Sequence, residues 1–233
     1  MAGGFLGPLL HAGLFAQLVL LTLFVMSVAT WAIFIRKLRI LRRAAAQTRR
    51  FLSHTGGGGL AHYERMAQGL RQSPLASMLG AALAEWQTLR SQFHGTESGA
   101  ELMQQLVPNI SEAMERAASR ETEKLESSLP ALSIITMVAP FLGLLGTVQG
   151  VLSTFLSLRG AQMPTLQLIA PGISDALITT VMGLVVAIPA AFFYNYFVGR
   201  VRNLQAEMER FASEMTGLFR REIASSQLKD TQS

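Results

Sequence analysis

The chain has 233 residues, 50% of them hydrophobic and 15% charged, with a formal net charge of +5. A soluble globular domain carries about 25% charged residues, so this balance excludes an ordinary soluble fold and points to an integral membrane protein. There is no cysteine, which excludes a disulfide framework, a thiol nucleophile and a thiolate metal site.

In chain order, residues 1–13 carry no Lys or Arg and read as a periplasmic N-terminus. Leu14 to Ile35 is uncharged and long enough to cross a bilayer core, which takes roughly 20 apolar residues as helix. It reads as a first span rather than a cleaved signal peptide, because it is too long and its positive charge follows the apolar run. Arg36, Lys37, Arg39, Arg42, Arg43, Arg49 and Arg50 come next and open a cytoplasmic helical domain over 36–128. Within it, "GGGG" at 56–59 is a flexible break. Leu60, Tyr63, Ala67 and Leu70 recur at helical spacing, as do Leu75, Met78, Ala82, Trp86, Leu89 and Phe93. Pro108 is expected to stop any preceding helix, and Asn109 with Glu112 reads as a capping pair that starts the next. That helix is expected to run through "AMERAASRETEKLESSLPAL" straight into a second span, 129–158.

The 159–168 segment carries only Arg159 and is short, so the second and third spans form an antiparallel hairpin. The third span, 169–199, contains one charge, Asp175. Beyond it lies a cytoplasmic helical tail, 200–233. There Val201, Leu204, Met208, Phe211, Met215 and Leu218 form a heptad seam flanked by Glu207, Glu209, Arg210 and Glu214. The seam packs against the chain's own 109–128 helix or between subunits, and the two can coexist. Residues 172–224 as one helix would measure about 80 Å. No alternating run suggests strands, so the fold class is an all-α membrane protein with three spans. The second and third spans extend into a cytoplasmic helical domain. Cationic loops stay inside, which sets the N-terminus out and the C-terminus in. The net charge thus reads as a topology signal and not as a nucleic-acid footprint.

Helices in lipid associate through small residues and interhelical hydrogen bonds. In "FLGLLGTVQGVLSTF" of span 2, Gly143, Thr147, Gly150 and Thr154 share one face, with Gly146 nearby. In span 3, Gly172, Ala176, Thr179, Thr180, Gly183, Ala187 and Ala190 fall within about 140° of Asp175 on a helical wheel. Leu177, Val181, Leu184, Val185, Ile188 and Phe192 take the other side. A small, hydroxylated face suits either tight packing between the two spans or a pore lining. Pro140 and Pro189 lie inside the spans and shape them.

Counted from the outer ends, Asp175 lies about 10 Å deep, Thr180 about 18 Å and Thr147 about 16 Å. The two threonines can therefore share the midplane. Pro171 and Gly172 mark the start of a regular helix, in whose first turn Asp175 is favoured by the dipole. An intramembrane carboxylate is also a candidate functional site. Threonine does not titrate, and no His, Lys, Glu or Asp of this chain sits at mid-depth. If protons cross here, another chain must supply the central titratable group. The four His are scattered at 11, 54, 62 and 94, and no cofactor or metal site is expected. "GLLGTVQG" lacks the Lys-Ser/Thr of a phosphate loop, so no enzyme is expected either.

The segments "APFLGLLGTVQGVLSTF" and "LIAPGISDALITTVMGLVVAIPAAFFYN" resemble the paired signature of the TolQ/ExbB/MotA proton-channel family. Within that family, "SVATWAIFIRKLRILRRA" is nearer the TolQ than the ExbB branch. The resemblance implies a homopentamer in the bacterial inner membrane. It would enclose a dimer of single-span partners of TolR or ExbD type, whose Asp carries protons. It also implies that proton motive force energises a TolA-like protein for envelope integrity and division, or a TonB-like one for uptake. By the same resemblance the pore threonines correspond to Thr147 and Thr180, with Thr179 beside them, and the acid of the "APGI" motif to Asp175. Two departures stand out: the acid is usually Glu, and Gln149 stands where Trp is common. A non-conducting membrane scaffold is the rival reading from another class.

Overall fold

The computed structural model describes residues 14–53, 63, 73–92, 99–158 and 166–230. Five helices carry them: α1 (Leu14–Ser53), α2 (Pro74–Gln92), α3 (Gly99–Glu126), α4 (Leu129–Ser157) and α5 (Leu166–Asp230). There is no strand among the described residues. Three helical stretches are long and apolar enough to cross a membrane, within Leu14–Ser53, Gln105–Ser157 and Ile169–Ala224. The chain divides into two compact units, Met1–Lys37 with Ser128–Phe197, and Leu38–Ser127 with Val198–Ser233.

The first unit holds the three apolar stretches. Its core is built from small and medium side chains: Val19 and Leu23 of α1, Ile135 and Ala139 of α4, and Val186, Ala187 and Ala190 of α5. Alanines at these positions let the helix axes approach closely. At one end of the unit, Phe34 stacks on Phe193 with ring centroids 4.0 Å apart, and Trp31 meets Phe193 edge-on at 5.3 Å. The large side chains point the other way. Phe141, Ile188 and Phe192 are each about two-thirds exposed, at 67%, 68% and 67%. Leu177, Val181, Leu184 and Val185 are exposed as well, so the whole bulky arc of the third span faces outward. Such a surface is unfavourable in water and ordinary in lipid.

The second unit has a conventional apolar core. Phe51 of α1, Leu75, Met78 and Ala82 of α2, and Leu106, Ile110 and Met114 of α3 pack with Met208, Phe211 and Met215 of α5. The seam read from the sequence is therefore occupied within the chain, as the packing against 109–128 requires, with α2 and Phe51 also taking part. At its end the buried stripe moves to Phe219 and Ile223 while Leu218 is only partly buried. A straight α-helix drifts about 20° per heptad from a 3.5-residue repeat, which accounts for the step. Trp86 and Leu89 lie at the edge of this core. Of the 54–72 segment only Tyr63 is described; Leu60, Ala67, Leu70 and the four glycines lie outside the described residues, as does Phe93.

Two expectations at helix ends are corrected. Pro108 does not stop a helix but lies inside α3. It removes one backbone hydrogen bond, and the neighbouring Leu106, Val107 and Ile110 bury almost completely in return, at 1%, 8% and 0% exposure. Nor does α3 run straight into the second span. It ends at Glu126, Ser128 takes a left-handed conformation (φ 73°, ψ −9°), and α4 begins at Leu129 with Pro130 in its first turn. Pro130 cannot donate to a preceding helical carbonyl and its ring would crowd one. The turn instead closes with Ser127 N–H donating to Glu123 O at 3.0 Å and Ser127 Oγ donating to Lys124 O at 2.7 Å.

Tyr63 is buried in the second core, and burial raises its phenol above the ordinary value of 10.0, with the charge of Glu214 adding to the effect. The folded state thus holds this proton more tightly than the unfolded chain does. Its contribution to stability is full below the ordinary tyrosine pKa and is lost as pH rises through the raised one. Glu214→Gln should move the Tyr63 titration partway back toward its ordinary value, read by phenolate absorbance in the full chain. An unchanged titration would show that the Glu214 charge plays no part.

Candidate functional site

Two antiparallel helices of the first unit, α4 and α5, meet along a ladder of small residues. A Cβ placed on Gly183 would come within 2.6 Å of Ala139 O, and one on Gly143 within 2.8 Å of Thr179 O and 3.0 Å of Thr180 Cα. Further along, a Cβ on Gly146 would lie 2.7 Å from Thr179 Cβ, and one on Gly150 2.7 Å from Ala176 Cβ. At the far end Gly172 leaves space that Thr154 Oγ1 fills, while Thr154 donates to Gly150 O at 2.9 Å. Backbone faces backbone across this seam. The small stripe of each span is therefore taken up by packing inside one chain.

The close approach puts three hydroxyls against two helical carbonyls. Gly143 O is approached by Thr147, Thr179 and Thr180 at 3.3, 3.0 and 3.1 Å. Ala176 O is approached by Thr147 and Thr179 at 2.9 and 2.7 Å. The Thr147 and Thr180 hydroxyls also contact each other across the seam. Each hydroxyl has one proton to give, so more than one assignment satisfies the cluster. Thr180 can donate to Thr147, which donates to Ala176 O. Alternatively Thr147 donates to Thr180, which donates to Gly143 O. The pair can reverse its direction by rotating hydroxyls, without breaking the helices.

The three threonines do not have equal standing. Thr179 is fully buried, at 0% exposure, and its hydroxyl is held inside the seam. Thr147 and Thr180 are half-buried and reach the surface of the chain. Neighbours in sequence, Thr179 and Thr180 are about 100° apart on the helix, enough to make one an interhelical clamp and the other an accessible group. Sequence reasoning paired Thr147 with Thr180 but did not anticipate the carbonyls of Gly143 and Ala176. The available signal was a hydroxyl four residues after a small residue in both helices.

Asp175 is half-buried and is the one carboxylate among the described residues of the first unit. Its placement corrects the helix-start reading. The helix begins at Leu166, Pro171 lies inside it, and its first turn holds no acid. Asp175 is thus about 13 Å along α5 from its first residue, beyond the reach of the end dipole. It precedes Thr179 by four residues, one turn away on the same side of the helix. Among the described residues no group of three or more His, Cys, Asp or Glu is arranged to hold a metal ion.

Comparison with known proteins fits this geometry. The family described as "MotA/TolQ/ExbB proton channel family" matches residues 72–210. The chain is 34% identical over 223 residues to the Tol-Pal system protein TolQ of Haemophilus influenzae, covering 94% of each chain. It is 34% identical over 220 residues to the Tol-Pal system protein TolQ of Pseudomonas aeruginosa, covering 93% of this chain and 92% of that one. To the biopolymer transport protein ExbB of Salmonella typhimurium it is 28% identical over 214 residues, covering 91% and 85%.

Two glycines of α5 separate packing from propensity. Gly183→Ala sets a methyl against the Ala139 carbonyl and should destabilise the protein by about 1–3 kcal/mol. Gly199 has nothing within 4 Å of an added Cβ, so Gly199→Ala should be neutral or stabilise by about 0.5–1 kcal/mol. Thermal unfolding of the two variants in one detergent measures the contrast, and equal effects would contradict the seam.

Proposed function

The chain belongs to the MotA/TolQ/ExbB proton channel family, and on that premise we propose a specific division of labour. The protein is a TolQ-type inner-membrane channel subunit that supplies hydroxyls and shape, while a single-span partner of TolR type supplies the titrating acid. The observation that carries this reading is the Thr147–Thr180 pair: the hydroxyls of two half-buried threonines, joined across the seam in a unit whose described residues include one carboxylate, Asp175. Hydroxyls can pass a proton along a hydrogen-bonded chain but cannot store one at neutral pH. A donor and an acceptor must therefore lie at either end.

In this reading a homopentamer encloses a dimer of the partner's spans, and each subunit turns its Thr147–Thr180 pair toward them. Asp175, one turn from Thr179, is the outer relay through which protons reach the pair. The Lys and Arg distribution supports an outward N-terminus and an inward C-terminus. Proton flow drives motion that a TolA-like protein carries toward the outer membrane. The greater identity and coverage of the TolQ relatives favour this over an ExbB-type role with ExbD-like and TonB-like partners.

Thr147→Val and Thr180→Val each keep a similar shape and remove a hydroxyl. In the complex with its single-span partner, each should lower proton flux into vesicles by at least about tenfold, equivalent to about 1.4 kcal/mol of barrier. Subunit count and partner retention should not change. Thr179→Val should instead lower thermal stability with little change in flux per complex. Undiminished flux in both accessible-threonine variants would favour a scaffold that conducts nothing through this seam.

A further inference from the structure

The lipid-exposed face of α1 continues into a face of arginines. Counting 100° per residue, Leu14, Leu18, Leu21, Phe24, Val25, Val28, Trp31 and Ile35 occupy one arc of about 140°. Each is an exposed large apolar residue. Arg36, Arg39, Arg42 and Arg43 fall in the same arc and are all exposed. No Asp or Glu occurs anywhere in α1, and the ion pairs of α3, between Arg116 and Glu112 and between Lys124 and Glu121, use none of these four arginines. The one cation of this stretch outside the arc is Lys37, which is buried at 2% exposure.

Distance and direction select the ligand. Arg36 to Arg43 lie about 1.5 to 12 Å beyond Ile35 along the helix axis. Side chains on an α-helix lean toward its N-terminus, which for α1 is back toward the span. The guanidinium groups therefore reach into the headgroup layer, which extends about 5–8 Å outside the hydrocarbon. Guanidinium forms paired hydrogen bonds with phosphate. Ile40, exposed beside them at 37%, adds an apolar contact at the boundary. Arg49 and Arg50 share the arc but lie about 20 Å or more beyond Ile35, out of reach of the headgroups.

We propose that Arg36, Arg39, Arg42 and Arg43 form a binding face for the phosphates of anionic phospholipids. This rests on α1 being a membrane span and not on the channel reading. The test uses the full chain purified in detergent, with phosphatidylglycerol and phosphatidylcholine as probes and bound lipid read by native mass spectrometry. Arg36 is kept in all variants to preserve topology. Phosphatidylglycerol should be retained in preference to phosphatidylcholine, and R39Q/R42Q/R43Q should weaken that retention at least about tenfold, given the contribution of each arginine at an anionic surface. R49Q/R50Q should leave it unchanged, and R39K/R42K/R43K should restore part of it. Equal retention of the two lipids by the unaltered protein would overturn the proposal, whatever the variants do. So would an equal loss in R49Q/R50Q, which would mark a diffuse basic surface suited to a nucleic acid or an acidic protein.

Discussion

The constraint on which the rest of the first unit depends is backbone-to-backbone contact between α4 and α5. Lipid gives apolar side chains no reason to leave it, so helices in a bilayer gain from packing and hydrogen bonds in place of hydrophobic burial. Gly143 and Gly183 allow one helix to lie against the peptide groups of the other, and Gly146, Gly150 and Gly172 extend the contact. Only at this separation do short threonine side chains span from one helix to the carbonyls of the next. Larger residues at the seam would hold the hydroxyls out of reach of their acceptors. The bulky residues displaced from the seam cover the outside, where lipid or other chains accommodate them.

Out of this one contact come two kinds of threonine. Thr179 is enclosed and spends its proton on a carbonyl, so its role is to hold the helices in register. Thr147 and Thr180 are held by the same carbonyls but remain accessible, and their mutual contact can be reversed by rotation. A carboxylate or histidine in their place would have to carry a charge in one of its two protonation states, in a medium that penalises charge. Paired hydroxyls offer polarity without that penalty. In the proposed reading they leave the site to be completed by another chain, since the one carboxylate among the described residues of this unit, Asp175, lies more than a turn from Thr180.

Much of this was legible in the sequence. The spans follow from length and charge alone, and the division of the third span into small and bulky arcs follows from helical periodicity; the structure adds that the bulky arc is exposed. Depth counting brought Thr147 and Thr180 to one level, where they touch. What the sequence did not disclose depends on which of two local terms wins. Proline usually ends a helix, yet Pro108 and Pro171 sit inside α3 and α5. Burial around Pro108 outweighs one lost hydrogen bond. At Pro130 the proline marks a true break, with Ser128 forced into the left-handed region. Periodicity alone cannot separate these cases. Likewise a helical wheel puts Thr179 and Thr180 in one polar arc, and only the neighbouring helix decides which is enclosed. The acceptors, being backbone carbonyls, have no side-chain signature at all.

The central claim is that the chain carries half of a proton-transfer site. It is tested most directly by proton flux through its own purified oligomer in vesicles under a proton gradient, with and without the single-span partner. The account predicts flux close to that of empty vesicles for the oligomer alone and a large rise when the partner is present. Full flux through the oligomer alone would contradict it, because the chain would then complete the pathway with its own residues.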